Sequence, residues 1–80
     1  MKLYIYQLNR AGLSDDVIKA YQSTITVLEM ILDLLNGATM PSIIVYPEMR
    51  NGKYTIADGI HRICAYMFLN ITSFEAKFKT

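Results

Sequence analysis

Asn51-Gly52-Lys53-Tyr54-Thr55-Ile56-Ala57-Asp58-Gly59-Ile60-His61-Arg62-Ile63-Cys64-Ala65 is the stretch that decides how this chain folds. Asn-Gly is a strong hairpin signal, because both residues tolerate the positive φ that a tight two-residue turn requires. Lys53 to Ala57 therefore reads as the return strand of a hairpin, and Asp58-Gly59 ends it. Beyond the glycine, Ile60, Ile63, Cys64, Met67 and Phe68 recur at helical spacing, which predicts a helix from about Ile60 to Leu69 that buries these five side chains. A strand, a glycine turn and a helix start thus follow one another within a few residues.

Working outward, Pro41 blocks any helix, and Ser42-Ile43-Ile44-Val45-Tyr46 is a nearly continuous apolar run, the pattern of a strand buried on both faces. Further upstream, Ser14 stands ahead of Asp15 and Asp16, a helix N-cap followed by acids at the positive end of the dipole. Val17, Ile18, Tyr21, Ile25, Leu28, Ile31, Leu32 and Leu35 then mark one helical face, which Asn36-Gly37 terminates. Ser23, Thr24 and Thr26 are poor helix formers in the middle of that pattern and predict a break into two helices there. Lys2 to Leu8 alternates and is rich in aromatic and β-branched residues, so it reads as a strand, turned by Asn9 to Gly12. At the other end Asn70 suits a left-handed C-cap, and Thr72 to Phe78 alternates as a closing strand. The expected order is β-α-β-β-α-β, an α/β (α+β) arrangement in a single domain over residues 1–80.

The totals constrain what such a domain can be. Hydrophobic residues make up 52% of the chain and charged ones only 19%, so either the core is dense or apolar surface is left for a partner, including a second copy. The formal net charge is +1, from eight basic and seven acidic residues. That balance provides no sequence-independent grip on nucleic acid and argues against direct DNA binding. Cys64 is the single cysteine, which excludes a disulfide framework and a cysteine-based zinc site. Neither a signal-peptide pattern nor an apolar run of membrane-spanning length is present, so a cytoplasmic protein without membrane contact is expected.

Chemistry is concentrated at Asp58 to Arg62. A helix start leaves its first N–H groups unpaired and carries partial positive charge, which favours anions. Gly59 lets backbone approach a ligand, His61 offers a further donor, and Arg62 in the first turn offers a bidentate contact to phosphate or carboxylate oxygens. Each has a plainer reading. Asp58 serves as an N-cap accepting from the Ile60 or His61 N–H, Gly59 meets a backbone need, and Arg62 pairs with Asp58 or another acid. Cys64 falls on the core side of the helix as an inert thiol. Tyr4, Tyr6, Tyr46 and Tyr54 either stack on a base or pack across strands.

The string Gly37-Ala38-Thr39-Met40-Pro41-Ser42-Ile43-Ile44-Val45, the turn and strand to Asp58-Gly59-Ile60-His61-Arg62-Ile63-Cys64-Ala65, and Leu69-Asn70 together resemble the ParB/sulfiredoxin superfamily. Its pattern is Gly and Pro before a strand, then a strand ending in Asp-Gly, then x-His-Arg-x-x-Ala and Leu-Gly. The resemblance covers about Gly37 to Phe78. It implies a nucleotide or phosphate site at Gly59, His61 and Arg62, with Asp58 orienting the loop or a magnesium ion. It also implies a nucleoside triphosphate or diphosphate with magnesium as the ligand. Relatives range from CTP-dependent DNA clamps to sulfinic acid reductases, serine kinases and nucleases. Sulfiredoxins carry a catalytic cysteine where this chain has Ile60, ParB clamps append a helix-turn-helix domain, and no equivalent of the kinases' catalytic acid can be placed here. The resemblance therefore implies a minimal nucleotide-binding domain, with or without weak nucleotide hydrolysis. The alternatives are a non-catalytic protein-binding or inhibitory module of the kind expected in phages and plasmids, and a ParB-like nuclease.

Overall fold

In a computed structural model, all of residues 1–80 are described. The elements are β1 (Lys2–Tyr4), α1 (Asp15–Gln22), α2 (Ile25–Leu35), β2 (Ile43–Arg50), β3 (Lys53–Asp58), α3 (Ile60–Phe68) and β4 (Ser73–Phe78), with one 3-10 turn at Ile5–Gln7. The result is a small mixed α/β domain with a four-stranded sheet in the order β1-β4-β2-β3.

The hairpin forms where the Asn-Gly signal places it. Asn51 and Gly52 both take positive φ, at 52° and 74°, and Arg50 faces Lys53 across the turn. The long helical pattern is broken in two, as its hydroxyl residues predict. The Thr24 hydroxyl accepts from the Val27 N–H and caps α2, just as Ser14 accepts from Val17 at the start of α1. Asn70, at φ 57°, ends α3 in the left-handed conformation.

Two strand expectations need correction. The first strand stops at Tyr4 instead of running to Leu8. Its end is set by tertiary pairing: Ile5 N–H donates to the Thr72 carbonyl, the chain turns, and Asn9 N–H donates to Tyr54. Leu8 forms a parallel bridge with Tyr54, so this segment passes from the β4 side of the sheet to the outer edge of β3. Likewise, β2 is not buried on both faces. Ile43 and Val45 are fully buried, whereas Ile44 is half-buried and Tyr46 exposed. The parallel pairing with β4 ends at Val45 opposite Phe78, and the strand beyond it keeps only β3 as a partner. Pro47, which has no N–H to donate, lies in this edge portion, where the register with β3 shifts.

Two apolar clusters hold the layers together. Leu3, Leu8, Ile43, Val45, Phe74 and Ala76 meet Ile63 and Tyr66 of α3, while Cys64 and Ala65 meet Ile18 of α1 and Val27 and Ile31 of α2. Helix α3 is thus sandwiched between the sheet and the α1–α2 pair, with its first turn at the end of β3; Phe68, expected in the core, instead lies exposed on its last turn, outside both clusters. No helix is long and apolar enough to cross a membrane.

Candidate functional site

The turn from β3 into α3 is built around Gly59. Its φ of 115° is a conformation that L side chains rarely adopt, and a Cβ there would come within 2.7 Å of the Ile43 side chain and 3.4 Å of the Arg62 guanidinium carbon. The glycine is therefore demanded by the protein's own packing; a close approach to ligand is not needed to explain it.

Asp58 does not cap the helix. Gly59 occupies the N-cap position and no side chain bonds to the first turn. The first bond of the helix runs from the Ile63 N–H to the Gly59 carbonyl, so the N–H groups of Ile60, His61 and Arg62 have no acceptor within the chain. The Asp58 carboxylate turns instead to Arg62, 3.1 Å away.

Arg62 is the residue whose expected role changes most. It does not extend into solvent to meet an anion. One guanidinium nitrogen donates to the carbonyls of Pro41 and Ser42, at 3.0 and 2.7 Å, and the other reaches Asp58. Its side chain is only 13% exposed. Arg62 ties the loop ahead of β2 to the end of β3 and the start of α3, as a strut.

His61 stays in place as a candidate contact. Its ring meets Tyr21 edge to face at 5.3 Å and makes no side-chain hydrogen bond within the chain. Both residues border a cleft of about 590 Å³ that also touches Asn9, Leu13, Thr55 and the Asp58–Arg62 turn. This volume lies in the range of small-molecule sites. Tyr21, Asn9 and Leu13 reach the cleft from α1 and the preceding loop, and no local sequence signal links them to the Asp-Gly turn. Asp58 is the sole carboxylate on the cleft wall, and nowhere in the chain do three His, Cys, Asp or Glu side chains converge as a metal cage.

Cys64 is buried, and desolvation pushes its thiol above the ordinary value of 9.0, an effect that the nearby Arg10 charge partly offsets. Burial likewise raises the Tyr66 phenol above 10.0 against the opposing charge of Arg62. Neither group is poised as a nucleophile.

No family model, curated protein or solved structure matches this chain.

Proposed function

We propose that the cleft at the start of α3 binds a nucleotide through its phosphate, as a minimal domain of the ParB/sulfiredoxin kind. The observation that carries this reading is the uncapped first turn of α3, with the Ile60, His61 and Arg62 N–H groups lacking acceptors beside a cleft of about 590 Å³. An anion there would satisfy donors that the chain leaves open and would meet the positive end of the helix. His61 adds a side-chain donor, while Asp58 and Arg62 hold the turn in shape. The lone carboxylate cannot cage a metal, so magnesium would enter on the nucleotide's phosphates. The residues supply binding and orientation; for hydrolysis the cleft offers only His61 and Asp58 as bases, and the Asp58 carboxylate is engaged by Arg62.

Isothermal titration with ATP, CTP and ADP, with and without magnesium, tests the proposal. Binding that weakens about tenfold in His61→Ala, with an unchanged melting curve, is expected. Absence of binding up to millimolar nucleotide sinks it.

A second reading, a non-catalytic protein-binding module, is favoured by α2. Ile25, Leu28, Leu32 and Leu35 form an exposed stripe along its outer side. Glu29 and Asp33 accompany the stripe, and no Lys or Arg occurs between Lys19 and Arg50. That chemistry suits a partner helix with an apolar face and basic flanks. A lysine-flanked amphipathic peptide that binds wild type but not Leu28→Gln/Leu32→Gln would support it. A dimer in sedimentation that dissociates in the same variant would replace the partner with a second copy.

A further inference from the structure

The near-neutral net charge conceals a segregation. Helices α1 and α2 carry Asp15, Asp16, Glu29 and Asp33 against the single cation Lys19. On the sheet, two of the three acids are already matched: Glu75 by the N-terminal amine at 3.5 Å and Asp58 by Arg62 at 3.1 Å. Lys2, Lys53 and Lys77 have no ion-pair partner. The sheet side is therefore locally basic although the molecule is not.

Aromatic rings lie among those cations. Tyr4 and Tyr6 stack with centroids 5.6 Å apart, and the Lys2 ammonium sits 5.5 Å from the Tyr4 ring. Tyr6 is 73% exposed. It borders a hollow of about 410 Å³ shared with Lys53 and with Arg10, whose guanidinium is already paired with Asp15 at 2.9 Å, so Lys53 is the free cation there. Lys2 lies across the strand ladder from Glu75, two residues from Lys77 on the same side of β4, so a further cation lies along the face that Tyr4 shares. Neither ring is part of the core, and Tyr6 is the more open of the two.

We propose that the Tyr4–Tyr6 pair and its surrounding lysines bind single-stranded nucleic acid. An exposed ring accepts a base by stacking without regard to sequence, and flanking cations follow the phosphates. A duplex keeps its bases stacked on one another and has no free face to offer. The hollow beside Tyr6 and the α3 cleft share no lining residue, so the surface needs no nucleotide bound in the cleft.

The test is fluorescence anisotropy with labelled 15-mers of oligo-dT and oligo-rU, against a duplex of equal length, in 50 mM salt. The chain contains no Trp, so quenching of tyrosine emission gives a second readout. Single strands should bind at least tenfold more tightly than the duplex, and the two single strands together separate a DNA from an RNA preference. Tyr6→Ala should weaken binding about tenfold. Lys53→Glu should also weaken it, whereas Lys19→Glu on the acidic side should not. The slope of log affinity against log salt should be about −2 for three phosphate contacts on a single strand. Excess ATP should leave binding intact, which separates this surface from the cleft. No binding at 100 µM protein, equal affinity for duplex, or an unaltered Tyr6→Ala protein overturns the proposal. Circular dichroism of the Tyr6 and Lys53 variants shows that they remain folded.

Discussion

The Ile43 side chain occupies the space where Gly59 would carry a Cβ, at a separation of 2.7 Å. The strand-to-helix turn and the first buried residue of β2 are therefore fitted to one another. Replacing Gly59 by Ala adds a strained positive φ and an overpacked contact, each worth about 1–3 kcal/mol. Gly59→Ala is expected to lose about 3 kcal/mol in urea unfolding. A loss below 1 kcal/mol would show that the turn relaxes freely.

Arg62 and Asp58 should differ sharply despite sharing an ion pair. Removing the guanidinium leaves the Pro41 and Ser42 carbonyls without their donor, and hydrogen bonds to a charged group contribute about 1.5–3 kcal/mol. Arg62→Ala should therefore destabilise by about 2–3 kcal/mol. Asp58 is 73% exposed, so Asp58→Asn should cost about 0–1 kcal/mol. Thermal melts of the two variants side by side check this, and equal losses would contradict the strut role.

The two helix caps give a smaller, cleaner measurement. The Thr24 hydroxyl both accepts from Val27 N–H and donates to the Tyr21 carbonyl at 2.7 Å, linking the end of α1 to the start of α2. Thr24→Ala should cost about 1 kcal/mol and Ser14→Ala no more than that. Chemical denaturation resolves a difference of this size.

Alkaline pH should weaken the fold through Cys64 and Tyr66. Both groups ionise at higher pH when folded than when unfolded, because burial penalises the charged form. Stability from this source is complete below the unfolded values, near 9.0 for the thiol and 10.0 for the phenol, and is lost as pH rises through the raised folded values. Unfolding free energy should therefore fall as pH rises above about 9, with a shallower decline in Cys64→Ala. Iodoacetamide at pH 8 should label Cys64 only after unfolding.

What was legible in the sequence was local. Asn51-Gly52, the hydroxyl residues at 14 and 24, and Asn70 all act through their own backbone or a neighbour three residues away, and each does what its chemistry predicts. The Asp-Gly turn was legible as a helix start, but not the destination of Arg62, because its acceptors lie 20 and 21 residues upstream. The Asp58–Arg62 pair was legible as the alternative to a cap, because the two residues are four apart; what local sequence could not decide was which of the two roles the carboxylate takes. The strand at Lys2 ended early because Thr72 and Tyr54, both distant in sequence, dictate where the chain turns. Periodicity also could not separate Tyr54, which packs against the core, from Tyr4, Tyr6 and Tyr46, which face outward. That distinction depends on which sheet face the helices cover.

The pairing of β1 with β4 sets an order of events during synthesis. Lys2 lies opposite Glu75, and Leu3 opposite Phe74, so β1 completes its ladder with the strand of this domain that is made after all its other elements. While a ribosome is still delivering α3, the residues of β1 have emerged without their partner, and the loop they must close spans almost the whole chain. The hairpin can assemble from near neighbours, whereas the sheet edge closes only once β4 has emerged. A nascent chain stalled short of Phe74 would present an unpaired, tyrosine-bearing strand to whatever chaperone or other chain is nearby.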